Sequence, residues 1–150
     1  MRDERTLIWH KAVDYLSRRE YASLELRQKL LQKKFESALI DEVLAQLQTD
    51  NLLSDARFTE SFIRSRMNKG YGELRIKQEL KQRGISNELI EHYLPDECDE
   101  IWLELAEQVR EKKFSSTLPT DKNNMMKQVR FLQYRGFSQS QIWAVVKRST

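Results

Sequence analysis

Apolar residues recur every three to four positions along most of the chain, the period of a helix with one buried face. Leu7, Ile8, Ala12, Tyr15 and Leu16 predict a first helix near 4–19. Leu24, Leu26, Leu30 and Leu31 predict a second near 23–34, and Leu39, Ile40, Val43, Leu44 and Leu47 a third near 38–49. Ser37 stands where an N-cap would accept a backbone N–H, and Asp50-Asn51 ends the helix because Asn tolerates the left-handed conformation. The pattern then restarts. Ser54 is the expected cap of a fourth helix, with Asp55 in its first turn and Phe58, Phe62, Ile63 and Met67 facing inward. Gly70-Tyr71-Gly72 breaks that helix, and Leu74, Ile76 and Leu80 mark a fifth. Gly84-Ile85 reads as a helix stop with its packing residue. Ser86 caps a sixth helix carrying Leu89, Ile90, Tyr93 and Leu94, and Pro95 closes it. Ile101, Leu105 and Val109 predict a seventh near 98–113, and residues 114–121 a loop. Met125, Val129 and Leu132 mark the eighth. After Gly136-Phe137, Ser138 and Gln141 form a capping-box pattern opening a last helix with Ile142, Val145 and Val146 inward.

The pattern is an internal repeat. Shifted by 50 positions, residues 19–44 align with 69–94 without a gap. Tyr21 matches Tyr71, Leu24 Leu74, Gln28 Gln78, Leu30 Leu80, Gln32 Gln82, Leu39 Leu89, Ile40 Ile90 and Leu44 Leu94. Shifted by 52, Leu80 to Ser86 resembles Leu132 to Ser138. Lys34 takes the place of Gly84 in the first copy, where a different turn is expected. The reading is an all-α chain of three tandem three-helix repeats, residues 1–50, 51–95 and 96–150, stacked into an elongated, curved array. Units this small bury too little surface alone, so neighbours must share a core.

Composition narrows the class. Only 4 Gly and 2 Pro in 150 residues argue against a turn-rich β-sandwich or barrel. A single cysteine, Cys98, excludes an internal disulfide framework and fits a reducing, cytoplasmic setting. The longest apolar run, Ile142 to Val146, is far short of a membrane span, and Met1 to Arg5 shows no apolar leader.

Net charge is only +3, but it is segregated. Residues 61–86 carry Arg64, Arg66, Lys69, Arg75, Lys77, Lys81 and Arg83 against Glu73 and Glu79. Residues 95–111 hold seven carboxylates against Arg110, and residues 122–150 hold no acid at all. Clustered cations attract phosphates by releasing counterions. The candidate contact residues are therefore Arg64, Arg66, Lys69, Arg75, Lys77, Lys81 and Arg83, with Lys127, Arg130 and Arg135 in the acid-free stretch. Lys77 and Lys81 share a helix face, and Arg66 is a candidate partner for Asp55.

Catalytic chemistry is missing. His10 and His92 lie in different repeats, and neither has a Cys or carboxylate partner at metal-ligand spacing apart from Glu88, one turn from His92, which a surface helix pair explains better. Cys98 stands among carboxylates, which disfavour a nucleophilic thiolate. Gly70-Tyr71-Gly72 follows a helix and lacks the Lys-Ser/Thr ending of a phosphate loop. Asp96, Glu97, Asp99 and Glu100 suit a helix start better than acid–base work. No enzyme activity, metal or cofactor is expected.

Leu52-Leu53-Ser54-Asp55, Phe58, Phe62-Ile63, Arg66, Gly70-Tyr71-Gly72, Arg75-Ile76, Leu80 and Arg83-Gly84-Ile85 together resemble the bacterial RecX regulatory proteins. So do Glu25-Leu26-Arg27 with Leu30, and Arg130-Phe131-Leu132, Tyr134-Arg135-Gly136-Phe137 and Ile142. Where that family usually has Gly, Asp and Ala, this chain has Asn51, Ser54 and Thr59. The resemblance implies three-helix repeats that bind the RecA recombinase filament on single-stranded DNA. It implies slowed filament extension and suppressed RecA ATPase, strand exchange and co-protease activity. The expected partners are that filament and, weakly or through it, single-stranded DNA; no membrane is involved, and the protein is a monomer. The competing reading is a DNA-binding helix-turn-helix transcription regulator, with Leu74–Leu80, Gly84-Ile85 and the helix after Ser86 as its reading pair. Glu88 and Glu91 on that last helix argue against it.

Overall fold

The computed structural model describes residues 3–147, and among them the chain forms nine helices and no strand. They are α1 Glu4–Arg18, α2 Ser23–Gln32, α3 Ser37–Thr49, α4 Asp55–Asn68, α5 Glu73–Gln82, α6 Asn87–Tyr93, α7 Glu100–Phe114, α8 Lys122–Arg135 and α9 Gln139–Val146. Their starts follow the caps. The Arg57 amide donates to Ser54 Oγ at 3.1 Å and the Leu89 amide to Ser86 Oγ at 3.3 Å. Ser138 and Gln141 form the full capping box. Ser37 does not cap α3. It is the first helical residue, and the cap position is Glu36, whose amide donates to Glu4 Oε1 at 3.0 Å. No side chain among the described residues caps α3; the Glu4 carboxylate from α1 holds the amide of the cap residue instead.

One left-handed turn ends helix after helix. Ile85 donates to Leu80 O at 3.1 Å while Gly84 donates to Lys81 O at 3.0 Å, and Gly84 has φ 76°. Phe137 and Gly136 repeat this on Leu132 and Gln133, with φ 101° at Gly136. Tyr71 and Gly70 repeat it on Arg66 and Met67, and Leu52 and Asn51 on Leu47 and Gln48. Each pair of bonds satisfies carbonyls that the helix end would otherwise leave orphaned. Lys34 also adopts φ 66°, so the first copy keeps the turn although it lacks the glycine.

The chain divides into two compact units. The first comprises residues up to 61 with 80–90, and the second residues 62–79 with those from 91 on, so the middle three-helix segment contributes to both. In the first unit α1, α2 and α3 pack around Ile8, Ala12, Leu26, Leu30, Ile40, Val43 and Leu47. Leu7 and Leu24 are exposed instead of inward; Leu24 lies against Gly84, where a Cβ would stand 2.8 Å from its Cδ2.

In the second unit α7, α8 and α9 enclose Trp102, Ala106, Val129, Leu132, Phe137, Ile142 and Val145. Helix α7 is rotated relative to its expected stripe. Trp102, Ala106 and Arg110 are fully buried, whereas Ile101 is exposed and Leu105 and Val109 are half-buried. Arg110 explains the rotation. Its guanidinium donates to Glu107 Oε1 at 2.8 Å, to the Ser115 and Ser116 carbonyls at 3.3 and 3.4 Å, and to Gln128 Oε1 at 3.5 Å. A buried guanidinium is stable only with such partners. It holds the exit of α7, where Ser115 has φ 80°.

Helix α5 starts against the end of α8. Gly72 donates to Arg135 O at 2.8 Å and Leu74 to Gly136 O at 3.0 Å. A Cβ on Gly72 would stand 2.5 Å from the Gly136 carbonyl carbon, and one on Gly136 would stand 2.3 Å from Arg75 Cβ. Both positions must be glycine. Glu73, between them, is only 7% exposed, and its Oε2 is buried without a hydrogen-bond partner. Burial pushes its carboxyl above the usual carboxylate range; Lys77 opposes the rise, and Glu97 and Asp96 add to it.

Two stability measurements follow. Gly84→Val should lower the urea midpoint by an equivalent of about 1–2 kcal/mol, since a β-branched residue resists the left-handed conformation. Lys34→Gly should raise it by about 0.5–1 kcal/mol by relieving the same strain. An unchanged midpoint for G84V would refute the left-handed requirement. For Glu73, the folded state holds its proton to higher pH than the unfolded chain, so stability falls as pH rises through the raised value. Glu73→Gln should therefore melt higher than the wild type at pH 8, with the gain vanishing as the wild-type carboxyl becomes protonated in acid. A gain independent of pH would remove the titration from the explanation.

Candidate functional site

In each unit a helix start packs on the left-handed turn of another helix, α2 on Gly84 and α5 on Gly136, and one position of this junction reverses its charge between the units. In the first unit it centres on Tyr21, 5% exposed, with the Arg19 guanidinium 3.6 Å from the ring centroid. Glu25 serves three groups there. Its Oε1 accepts from the Ala22 amide at 3.0 Å and from Arg19 at 3.3 Å, and its Oε2 lies 3.6 Å from Arg83 Nε. One carboxylate thus serves both arginines.

In the repeat alignment, Tyr71 replaces Tyr21, Arg135 replaces Arg83, and Arg75 replaces the carboxylate Glu25. The second junction therefore gathers guanidinium groups on one ring. Arg75 lies 4.1 Å from the Tyr71 centroid, Arg135 5.1 Å and Arg66 5.6 Å. Glu79 accepts from Arg66 Nη2 at 3.0 Å and faces Arg75 Nε at 3.5 Å. This replaces the expected pairing of Arg66 with Asp55, which instead accepts the Ser23 amide at 2.8 Å and hydroxyl at 3.0 Å. Arg135 Nη1 donates to Lys69 O at 2.8 Å, and Arg75 Nη1 to Tyr134 O at 3.3 Å.

These contacts form a ladder of alternating rings and cations. From Tyr134 it passes to Arg75 at 5.2 Å, then through Tyr71 and Arg135 to Phe131 at 5.3 Å, and on to Lys113 at 5.8 Å. Cation–π attraction orients each guanidinium while leaving its charge in place. Tyr134, 74% exposed, leaves a ring open to solvent at one end. At the other end is a cleft of about 450 Å³, lined by Lys69, Lys112, Lys113, Arg135 and Phe131 over Leu105 and Val109. Leu105 and Val109, two of the three residues that the rotation of α7 keeps out of the core, thus line this cleft.

Of the ten candidate contact residues, Arg66, Lys69, Arg75 and Arg135 come together here. Lys127 and Arg130 are exposed on α8, on the face that carries Tyr134. Arg64 is exposed on α4, and Lys77 is half-buried one turn beyond Glu73. Lys81 and Arg83 belong to the first unit, Lys81 exposed and Arg83 on Glu25. Sequence reasoning missed Lys112 and Lys113, which follow the acidic block directly, and the rings of Tyr71, Phe131 and Tyr134. The interleaving of Phe131 and Tyr134 with Arg130 and Arg135 was the available signal. Among the described residues no three His, Cys, Asp or Glu side chains group as a metal cage, and no helix is long and apolar enough to cross a membrane.

The chain is similar to known proteins along most of its length. Residues 9–47 match the family described as RecX, first three-helix domain; residues 54–94 match the second and residues 99–146 the third. The regulatory protein RecX of Halorhodospira halophila is 41% identical over 134 residues, covering 89% of this chain and 82% of the relative. That of Pseudomonas entomophila is 44% identical over 131 residues, covering 87% and 84%. The crystal structure of RecX from Lactobacillus salivarius superposes with a TM-score of 0.81 at 26% identity, covering 97% of this chain and 96% of that one.

Proposed function

This chain belongs to the RecX family of regulatory proteins, and from that membership we propose that it binds the RecA filament on single-stranded DNA and restrains it. In this reading it slows filament extension and suppresses ATPase, strand exchange and co-protease activity, modulating recombination and repair. It acts as a cytoplasmic monomer by binding alone, with no reaction of its own. The observation that carries the reading is the inverted junction. The fold tolerates Glu at this place in the first unit, yet the second unit carries Arg75 and gathers Arg66 and Arg135 on the same ring. Concentrating like charge opposes folding unless an anionic partner compensates it, and a nucleoprotein filament is such a partner. A helix-turn-helix reader gains no support, because α6, Asn87–Tyr93, offers Glu88 and Glu91 where a major-groove helix would offer cations or amides.

The test is RecA ATPase on single-stranded DNA, titrated with the protein. Arg75→Glu, which copies the first unit's residue, should fold with nearly unchanged thermal stability and lose most inhibition. Charge reversal at both Lys77 and Lys81 should weaken inhibition in the same way. Wild-type affinity for the filament should fall steeply between low and moderate salt. Full inhibition by R75E, or one affinity at both salt concentrations, would point to an apolar protein–protein contact instead.

A further inference from the structure

The cleft at the lower end of the ladder has a chemistry of its own. Lys69, Lys112, Lys113 and Arg135 supply four cations to it, and no carboxylate lines it. Lys112 and Lys113 stand in the last turn of α7, and neither has an ion-pair partner among the described residues. Elsewhere in this unit the carboxylates near arginines are engaged: Glu79 with Arg66 and Arg75, Glu107 with Arg110. The remaining lining includes the Asn68 and Gln108 amides, the Phe131 ring, and Leu105 and Val109. Phe131 is held edge-on by Phe114, with centroids 5.4 Å apart and planes at 88°. The ring is therefore fixed before anything binds, as is Arg135 through its bond to Lys69 O.

We propose that this cleft, with Tyr134 at the far end of the ladder, is a direct binding site for single-stranded nucleic acid, built from the end of α4 in the second three-helix domain and from α7 and α8 in the third. The phosphodiester groups lie on Lys69, Lys112, Lys113 and Arg135, and an unstacked base lies on the exposed Tyr134 ring. A single strand requires both parts: cations that follow a backbone and an aromatic face that any base can stack on. A duplex buries its base faces and could not use the ring. An acidic polypeptide could use the cations but would gain nothing from the exposed ring or the amides. The cleft volume of about 450 Å³ is on the scale of one nucleotide, so it seats one step of a strand passing along the ladder. The proposal names the nucleic-acid part of the filament as what this face touches. It rests on the reading above only for where that strand comes from.

The experiment uses the full chain without RecA. Binding of a fluorescently labelled oligo-dT is followed by anisotropy at low salt, with labelled duplex and labelled poly-Glu as the other probes. The wild type should bind oligo-dT more tightly than either. Lys112→Glu with Lys113→Glu should weaken oligo-dT binding at least tenfold, and Tyr134→Ala at least fivefold, each without loss of melting temperature. Lys112→Ala with Lys113→Ala is the second variant, for use if the charge reversal disturbs folding, and should weaken binding at least threefold. No measurable oligo-dT binding by the wild type, unchanged affinity in the lysine variants, or equal affinity for poly-Glu would overturn the site. RecA ATPase inhibition is measured in parallel. Oligo-dT binding that depends on these residues, from a protein that leaves RecA ATPase untouched, would sustain the site and defeat the filament reading.

Discussion

The second unit depends on a place where two backbones come closer than any side chain allows. The amides of Gly72 and Leu74 donate to the carbonyls of Arg135 and Gly136, so the positive end of one helix meets the negative end of another. A methyl group on either glycine would overlap main-chain atoms or Arg75 Cβ. Arg75, Arg135 and Glu73 are arranged around that approach. It brings Arg75 from the first turn of α5 beside Arg135 from the last turn of α8, with Tyr71 between them. It also encloses Glu73 in a setting that opposes its ionisation.

The first unit shows the same construction under less demanding conditions. There Leu24 lies on Gly84, and Glu25 caps its own helix while neutralising Arg19 and Arg83. One carboxylate does the local electrostatic work, and the junction is self-contained. Replacing that carboxylate by Arg75 removes both the cap and the neutralising charge. Glycine at 72 then takes over the geometric role, through main-chain hydrogen bonds, and Glu79 takes part of the electrostatic one. A repeat need not change its fold to change the charge it presents at the junction, because the backbone holds the joint by other means.

Arg110 sets the other half of the site. It is wholly buried, and its donors hold Glu107, Gln128 and the carbonyls that follow α7. Turning that side chain inward carries Trp102 and Ala106 with it, since they lie on the same helical stripe. Leu105 and Val109 are thereby left for the cleft, and Lys112 and Lys113 reach its rim. A residue that touches nothing outside the unit thus decides which residues of α7 are presented.

Much of this was legible in the chain itself. The helices, the left-handed stops at Asn51, Gly84 and Gly136, and the caps at Ser54, Ser86 and Ser138 are local: each is settled by a few neighbouring residues and their hydrogen bonds. The family was legible as well, because its motif residues are those same stops and caps together with the cations between them. What the sequence could not settle was every choice made by partners distant along the chain. Helix α3 starts at Ser37 without a side-chain cap while Glu4 holds the Glu36 amide, and Lys34 kept a left-handed turn that its side chain disfavours. The buried stripe of α7 runs through Trp102, Ala106 and Arg110 rather than Ile101, Leu105 and Val109, because the four hydrogen bonds of Arg110 form only with that face inward. Charge density along the chain marked the basic stretches, but not which cations would share a ring and which would be spent on a carboxylate. Ion pairs and cation–π contacts act over a few ångströms in space, and only the tertiary structure fixes those distances.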